Sequence, residues 1–383
     1  MAHHEDDQAE TVLMRLLGGY TGAGLQGIQE SADIPECHGM YGVHASGRVQ
    51  RRSHWVSTSK TTSRIEIAAG GVVIKRPLLG CSKDDLVKLC RGAGVDWFED
   101  PTNRIATLTV RNTIRSLWES NRMPQALVKS ALLRLAATKQ AQSLAEEEQG
   151  ERLFQSLDCS LDLASGMLTF DCSASDSAKL LPGAAVHAAE RLAAIVTPAR
   201  TVVSTQLAKV AKHIFNPELT VDGEGQRSTK QTLTAAGIQW QGVKEHSDDT
   251  MTWRWRLSRQ SPSMAEALRS CTWTADGIGE PFWTWQLFDG RYWIRVKHRH
   301  RRKLLVQTLQ KPQLVQLRHQ LHRDERGYLD ALLHSHAPGN VRFTLPVIVD
   351  SHDGTVLALP TLRWLSNTET FHLGWDIKYK RID

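Results

Sequence analysis

The chain has 383 residues, enough for two or three cores, because a single core stops growing near ~250–300 residues. Its 41% hydrophobic and 23% charged fractions are ordinary for a globular protein, and no apolar run approaches the ~18–20 residues of a membrane span, which argues against an integral helical membrane protein. The net charge of +6 permits a polyanionic partner without demanding one, and six scattered cysteines with no C-x-x-C pair fit a reducing compartment better than a disulfide scaffold.

Met1 runs straight into AHHEDDQAETVL, charged and helix-like, so neither a signal peptide nor a transit peptide is expected. Residues 2–19 predict a helix capped by Asp7, with Val12, Leu13, Leu16 and Leu17 near one face and Gly18-Gly19 as its stop. A Gly-rich turn follows, then a poorly patterned stretch to about residue 63 that reads as an inserted loop. RIEIAAGGVVIKRPLLG predicts a hairpin or two short strands around its Gly-Gly turn. Ser82 caps an amphipathic helix that stops at Gly92 or Gly94, and VDWF reads as a short strand. Residues 111–157 are mostly helical by pattern. Short strands and two helices (about 183–196 and 201–214) come next. Trp-rich alternating segments then predict half-buried strands: MTWRWRL, FWTWQLF and RYWIRVKHR. A helix at about 311–334 and the strands TLPVIVD and GTVLALP complete the chain, which shows no internal repeat.

Chemistry concentrates at the start, where His3, His4, Glu5, Asp6, Asp7 and Glu10 crowd one helix end. The spacing alone leaves three readings open. Asp7 and Glu10 form a capping box; or His3, Asp7 and Glu10, one turn apart, gather a metal; or paired carboxylates bind a cation, either Mg²⁺ on nucleotide phosphates or the ammonium of an amine substrate.

AHHEDDQAETVLMRLLGG resembles a signature of the tRNA(Ile)-lysidine synthetase family, roughly A-H-H-x-D-D-Q-x-E-T-x-L-x-R-L-x-R-G, with matches at His3, His4, Asp6, Asp7, Gln8, Glu10, Thr11 and Arg15. A second block in the family's order, RPLLGCSKDDLVKLCRGAGVDWFEDPTNRIATLTVRNTIR, is similar at Arg76, Asp100, Asn103, Arg111, Asn112 and Arg115 and departs at Ile105, where the family has Asp. Without the resemblance, Arg76-Pro77 and Asp100-Pro101 are turn chemistry, and Arg111 and Arg115 a solvated helix face. The family's strand and S-G-G-x-D-S loop, whose amides cradle the phosphates of ATP, occur nowhere in these residues, so an N-terminally truncated member is expected.

The resemblance implies an α/β fold. The expectation is the remnant of a Rossmann-like parallel-sheet ATP-pyrophosphatase domain over residues 1–120 without its PP-loop, a largely helical linker and middle region over 121–235, and an α+β C-terminal region over 236–383. It also implies a ligase that uses ATP and Mg²⁺ to attach L-lysine to the wobble cytidine of a CAU-anticodon tRNA(Ile) through an adenylated intermediate. In that reading Asp7, Glu10 and Arg111 are catalytic, with Asp7 and Glu10 holding Mg²⁺ or the lysine ammonium. His3, His4, Asp6, Arg15, Arg76, Asp100, Asn103, Asn112 and Arg115 contact substrate or nucleotide.

The run RYWIRVKHRHRRK has seven Lys or Arg and no acid, so Arg291, Arg295, Lys297, Arg299, Arg301, Arg302 and Lys303 are the expected tRNA contacts, with a solvated basic face as the alternative. Most tryptophans are spaced for strand cores rather than a ligand cage. The expected compartment is the cytoplasm or mitochondrial matrix. Two other classes compete: a tRNA-binding protein that has lost the ATP chemistry, and a metal-dependent hydrolase built on the His–Asp cluster.

Overall fold

A computed structural model describes residues 1–34, 37, 65–173, 180–215, 230–247, 250–263, 266, 271–273, 285–298, 303–366 and 373–382. The stretch read as an inserted loop lies almost wholly outside them. The chain forms two compact units, one from Met1–Ile34 with Val72–Glu148, the other from Pro35–Gly71 with Gln149–Asp383.

In the first unit, α1 (Glu5–Leu17), α3 (Val110–Glu119) and the N-terminal turns of α4 (Lys129–Ser156) pack Val12, Leu13, Ile114, Leu132 and Ala136 into a small core, with Leu16 and Trp118 against it. The helix starts at Glu5 rather than residue 2. Its N-cap is His4, and Asp7 sits at the third helical position, where its Oδ2 accepts from the His4 backbone N–H at 3.0 Å. The capping box therefore joins His4 to Asp7, not Asp7 to Glu10, and leaves Glu10 for another partner.

Two side chains of α1 fasten the loop that follows. Gln8 Nε2 donates to Ile28 O at 3.1 Å while Gln8 Oε1 accepts from Ile28 N, and Arg15 Nη1 donates to the carbonyls of Gly24 and Gly27. Gly27 has φ +76°, and a Cβ there would lie 2.6 Å from Gln8 Oε1, so the fastening needs glycine. Strand β1 (Ser31–Asp33) pairs antiparallel with β3 (Val73–Lys75).

The Gly-Gly segment gives two short strands that do not pair with each other: β2 (Glu66–Ile67) runs parallel to a strand of the second unit, while β3 joins the first. Helix α2 (Lys83–Ala93) is capped by Ser82 and ends on Gly94 in the left-handed region, as the sequence predicts. The predicted strand VDWF does not form; with no neighbouring strand to take its backbone groups it runs as irregular chain, and Phe98 is fully exposed.

The second unit is built on a five-stranded antiparallel sheet in the order β4 (Cys159–Asp162), β5 (Met167–Ser173), β8 (Thr250–Arg259), β7 (Ile238–Ser247), β6 (Lys230–Ala235). Alternation sends Trp253, Trp255 and Leu257 inward and Arg254 and Arg256 outward. Trp255 fits because Gly242 stands opposite it; a Cβ there would lie 3.0 Å from the indole. Helices α5 (Ala184–Val196) and α6 (Ser204–Phe215) supply Leu192, Ile195, Val210 and Phe215 to the same core.

A mixed sheet orders β10 (Gln286–Phe288), β11 (Tyr292–His298), β16 (Leu373–Tyr379) and β2, and a third orders β15 (Trp364–Leu365), β14 (Val356–Leu359), β13 (Pro346–Asp350), β12 (Leu304–Thr308) and β9 (Cys271–Trp273). β13 and β14 are buried throughout, which is why their apolar runs are continuous rather than alternating. The helix predicted at 311–334 is two helices, α7 (Lys311–Gln320) and α8 (Arg323–His336), because Leu321 and His322 are extended; the restart places Asp324 and Glu325 in the first turn. The architecture is mixed α/β, the class the sequence implies.

Candidate active site

The start of α1 and one face of α3 meet in a charged corner of the first unit. Glu10 is 1% exposed, and Arg115, one turn beyond Arg111 on α3, grips it with both forks: Nε donates to Oε1 at 2.5 Å and Nη2 to Oε2 at 3.0 Å. That bond raises the Arg115 pKa above its ordinary value. Its remaining arm reaches Asn103 Oδ1 at 3.2 Å. Arg111 stands further off, 4.0 Å from Asp7 and 3.9 Å from Glu10, with its side chain 42% exposed. The two arginines thus differ in kind: one is committed to a buried carboxylate, the other faces solvent beside two carboxylates.

Asp6 serves a second cluster. Its Oδ1 is hydrogen-bonded by Lys129 Nζ from the first turn of α4, its Oδ2 accepts from the Lys83 backbone N–H at 3.2 Å, and His4 Nδ1 lies 3.8 Å away. Burial pushes the carboxyl up, but Lys129, the Lys83 amide and His4 together outweigh it and hold Asp6 below the usual carboxylate range. Lys129 also lies 5.5 Å over the Trp118 ring. Sequence reading missed this lysine: 123 residues separate it from Asp6 and it sits in no motif. His4 Nε2 is 3.5 Å from Asp7, and His3 Nδ1 and His4 Nδ1 are buried without a hydrogen-bond partner among the described residues.

Several residues singled out by sequence hold backbone. Asp100 accepts from the Thr102 N–H and hydroxyl at 2.9 and 2.7 Å, which lowers its pKa and starts the turn Pro101–Arg104. Asn112, 5% exposed, donates both amide protons, to the carbonyls of Thr102 and Ile105 at 2.9 and 3.0 Å. Position 105 contributes its carbonyl, and its side chain is half-exposed. Arg15 holds the loop after α1, and Arg76 Nη1 donates to Gln29 O at 2.8 Å. The structure therefore brings together His4, Asp6, Asp7, Glu10, Asn103, Arg111 and Arg115, and gives Arg15, Asp100 and Asn112 loop-holding roles. No group of three or more His, Cys, Asp or Glu side chains able to hold a metal occurs among the described residues.

The basic run in the second unit does not behave as one face. Arg291 is wholly buried, ion-paired to Asp289 at 2.9 Å and donating to the carbonyls of Ser165 and Thr344 at 3.1 and 2.8 Å, so it cannot meet an external phosphate. Its guanidinium satisfies the Asp162–Gly166 turn and the 3₁₀ turn Gly339–Thr344 instead. Arg295 pairs with Asp376 at 2.7 Å and lies 4.7 Å over Trp285. Lys297 lies in β11 with its side chain outside the described residues; Arg299, Arg301 and Arg302 are outside them altogether, and Lys303 is exposed before β12. Trp240, Trp253 and Trp255 are buried, as strand-core spacing predicts.

Known proteins are similar to this chain over the residues that hold the corner. A family model of the PP-loop domain matches residues 1–120. A probable tRNA(Ile)-lysidine synthase of Schizosaccharomyces pombe is 26% identical over 363 residues, 94% of this chain and 67% of that protein. tRNA(Ile)-lysidine synthases of a Bradyrhizobium species and of Pseudomonas putida are 35% and 36% identical over 116 and 112 residues, 30% and 29% of this chain. The chain spans only 22% and 18% of the length of those two bacterial relatives. The residues matched to the PP-loop domain contain every member of the corner except Lys129, and the chain is similar to tRNA(Ile)-lysidine synthases both there and, at lower identity, over most of its length.

Proposed function

We propose that this chain serves the ligation of L-lysine to the wobble cytidine of a CAU-anticodon tRNA(Ile), with ATP as the activating substrate. The observation that carries it is the corner of Arg111, Asp7 and Glu10 at the start of α1, within the residues matched to the PP-loop domain. The cytidine ring carbonyl oxygen attacks the α-phosphorus of ATP and pyrophosphate departs. The lysine side-chain amine then attacks the ring carbon, the C–O bond breaks with its electron pair leaving on AMP, and the nitrogen sheds a proton.

Arg111 is the cation with freedom to meet phosphate oxygens, and Asp7 is the carboxylate placed to receive the lysine ammonium. Glu10 has both oxygens in hydrogen bonds from Arg115, so it orients rather than touches substrate. Mg²⁺ fits here as the nucleotide's own counter-ion, since that ion keeps its waters and takes one or two carboxylates beside phosphates; Asp7 would be its protein ligand, and the ion would offset phosphate charge. No helix among the described residues is long and apolar enough to cross a membrane, and the reaction belongs where tRNA is, in the cytoplasm or the mitochondrial matrix.

The assay is ATP-dependent incorporation of labelled lysine into the isoleucine tRNA. It is run on this chain and on the polypeptide extended upstream in frame through an S-G-G-x-D-S loop, where the gene encodes one. Transfer by either, abolished by Arg111→Ala, supports the reading. Binding of tRNA without transfer by either overturns it in favour of a tRNA-binding protein.

A further inference from the structure

The outer face of the five-stranded sheet carries a polar groove that the ligation chemistry does not use. Strand register sets its floor: Arg256 on β8 faces Gln241 on β7 and Thr169 on β5, and the next row places Ser258 beside Gln239. The turn from Pro338 to Val341 closes one side, giving a cavity of about 480 Å³ whose polar lining includes Gln239, Gln241, Arg256, Ser258, Ser261 and Asn340. Among the described residues that lining holds no carboxylate.

The next row along shows what an ordinary surface arginine does on this sheet. Arg254 is ion-paired to Asp171 at 2.9 Å and to Glu245 at 3.0 Å. Arg256, two residues on and also exposed, has neither an ion pair nor a side-chain hydrogen bond among the described residues, and neither do the side-chain amides of Gln239 and Gln241 beside it. Behind them Arg259, 3% exposed, stands in the wall with its charge already met by Asp289 at 3.2 Å and Glu266 at 3.5 Å, which leaves Arg256 as the groove's free cation among the described residues. An unpaired guanidinium, two free amides and hydroxyls around a hollow lined by no carboxylate among the described residues match the acceptor-rich, anionic surface of a phosphate ester.

We propose that this groove binds a phosphate ester, with Arg256 as its ionic contact and Gln239 and Gln241 as hydrogen-bond donors. The ester is either a phosphodiester of an RNA strand or the phosphate of a free nucleotide, and the experiment separates these sources.

Affinities of the full chain for a tRNA transcript and for AMP are measured across a salt series, for wild type, Arg256→Ala and Arg254→Ala. Arg256→Ala is exposed and unpaired, so its thermal unfolding should match wild type. If the site takes RNA backbone, tRNA affinity falls several-fold and the slope of log affinity against log salt shrinks by about one, as for loss of one phosphate contact. If it takes free nucleotide, AMP affinity falls and tRNA affinity does not. The proposal is overturned if Arg256→Ala changes neither, or if Arg254→Ala weakens binding as much, because binding is then diffuse attraction to a basic surface. Lysine transfer is not part of the readout, so failure of the ligase reading leaves this test intact.

Discussion

Replacing Arg115 by Ala strips a buried carboxylate of its bidentate partner. Removing one member of a buried ion pair costs roughly 3–5 kcal/mol, chiefly because the orphaned charge stays buried. Here Glu10 is almost fully enclosed, which places the cost near that range, but Arg111 waits 3.9 Å away with a half-free side chain and can swing inward. Arg115 is itself about a third exposed, so part of its attraction is already screened by water. The expected cost is about 2–3 kcal/mol. Because the chain folds as two units, a single global unfolding curve would mix them. Hydrogen exchange of α1 and α3 peptides isolates the relevant one. Glu10→Ala alone should cost a similar amount, and the double variant should cost about 1.5–3 kcal/mol less than the sum of the two, since each single change leaves the other member of the pair without its partner, whereas the double change leaves neither. Additive effects, or a loss below about 0.5 kcal/mol for Arg115→Ala, would falsify the view that the pair is one unit.

Asn112→Ala should release the 101–105 turn by removing two hydrogen bonds from a buried amide, about 2 kcal/mol, visible as faster exchange at residues 102–106 with α4 unchanged. Gly290→Ala should fail to give folded protein: its φ is +59°, and a Cβ would sit 1.9 Å from Pro198 O, an overlap with backbone that no rotamer relieves, so circular dichroism matching wild type would refute it. Lys380 turns its Nζ onto Thr197 O at 2.5 Å, and burial with nearby Arg291 lowers its pKa from 10.5 to about 7. A lowered lysine pKa means the unfolded chain holds the extra proton between pH 7 and 10.5, so stability should rise with pH across that window. For this half-buried residue the gain is about 2–3 kcal/mol; Lys380→Met should be more stable than wild type at pH 7 and lose most of that rise between pH 7 and 9.5, as read by denaturant midpoints.

Much of the architecture was legible because it is written at short range. Ser82 and Gly94 bound their helix by capping chemistry, and the period of two in MTWRWRL buries Trp253 and Trp255. What was not legible depends on partners far along the chain. VDWF has strand residues but no strand to pair with, so propensity alone could not make it one. Arg291 opens a run of cations that looks like a surface, yet β11 faces alternately in and out, and the residue just before it is pinned by Asp289 and two carbonyls from distant turns. In the candidate site, Asp6, Asp7 and Glu10 were visible as a cluster, but spacing could not tell which would cap, which would pair and which would face substrate. That sorting came from Lys129 and from α3, more than 100 residues on.

The sorting changes what the cluster can do. Three carboxylates within one helical turn would repel one another unless each were neutralised separately, and the fold does so: Lys129 on Asp6, the His4 amide on Asp7, Arg115 on Glu10. Two of those three partners are full charges in close hydrogen bonds, whereas Asp7 has a backbone dipole, His4 at 3.5 Å, and Arg111 and Arg115 only at 4.0 Å. Asp7 is therefore the carboxylate with negative charge left for a cation, and Arg111 the guanidinium with positive charge left for an anion. A substrate pair bringing an ammonium and a phosphate together would find both where the start of α1 meets α3. Exchanging Asp7 for Asn should accordingly weaken use of lysine more than use of Mg²⁺–ATP, read as a larger rise in KM for lysine than for ATP, whereas Arg111→Ala should do the reverse; a variant pair that shifted both constants equally would mean the two charges act only on each other.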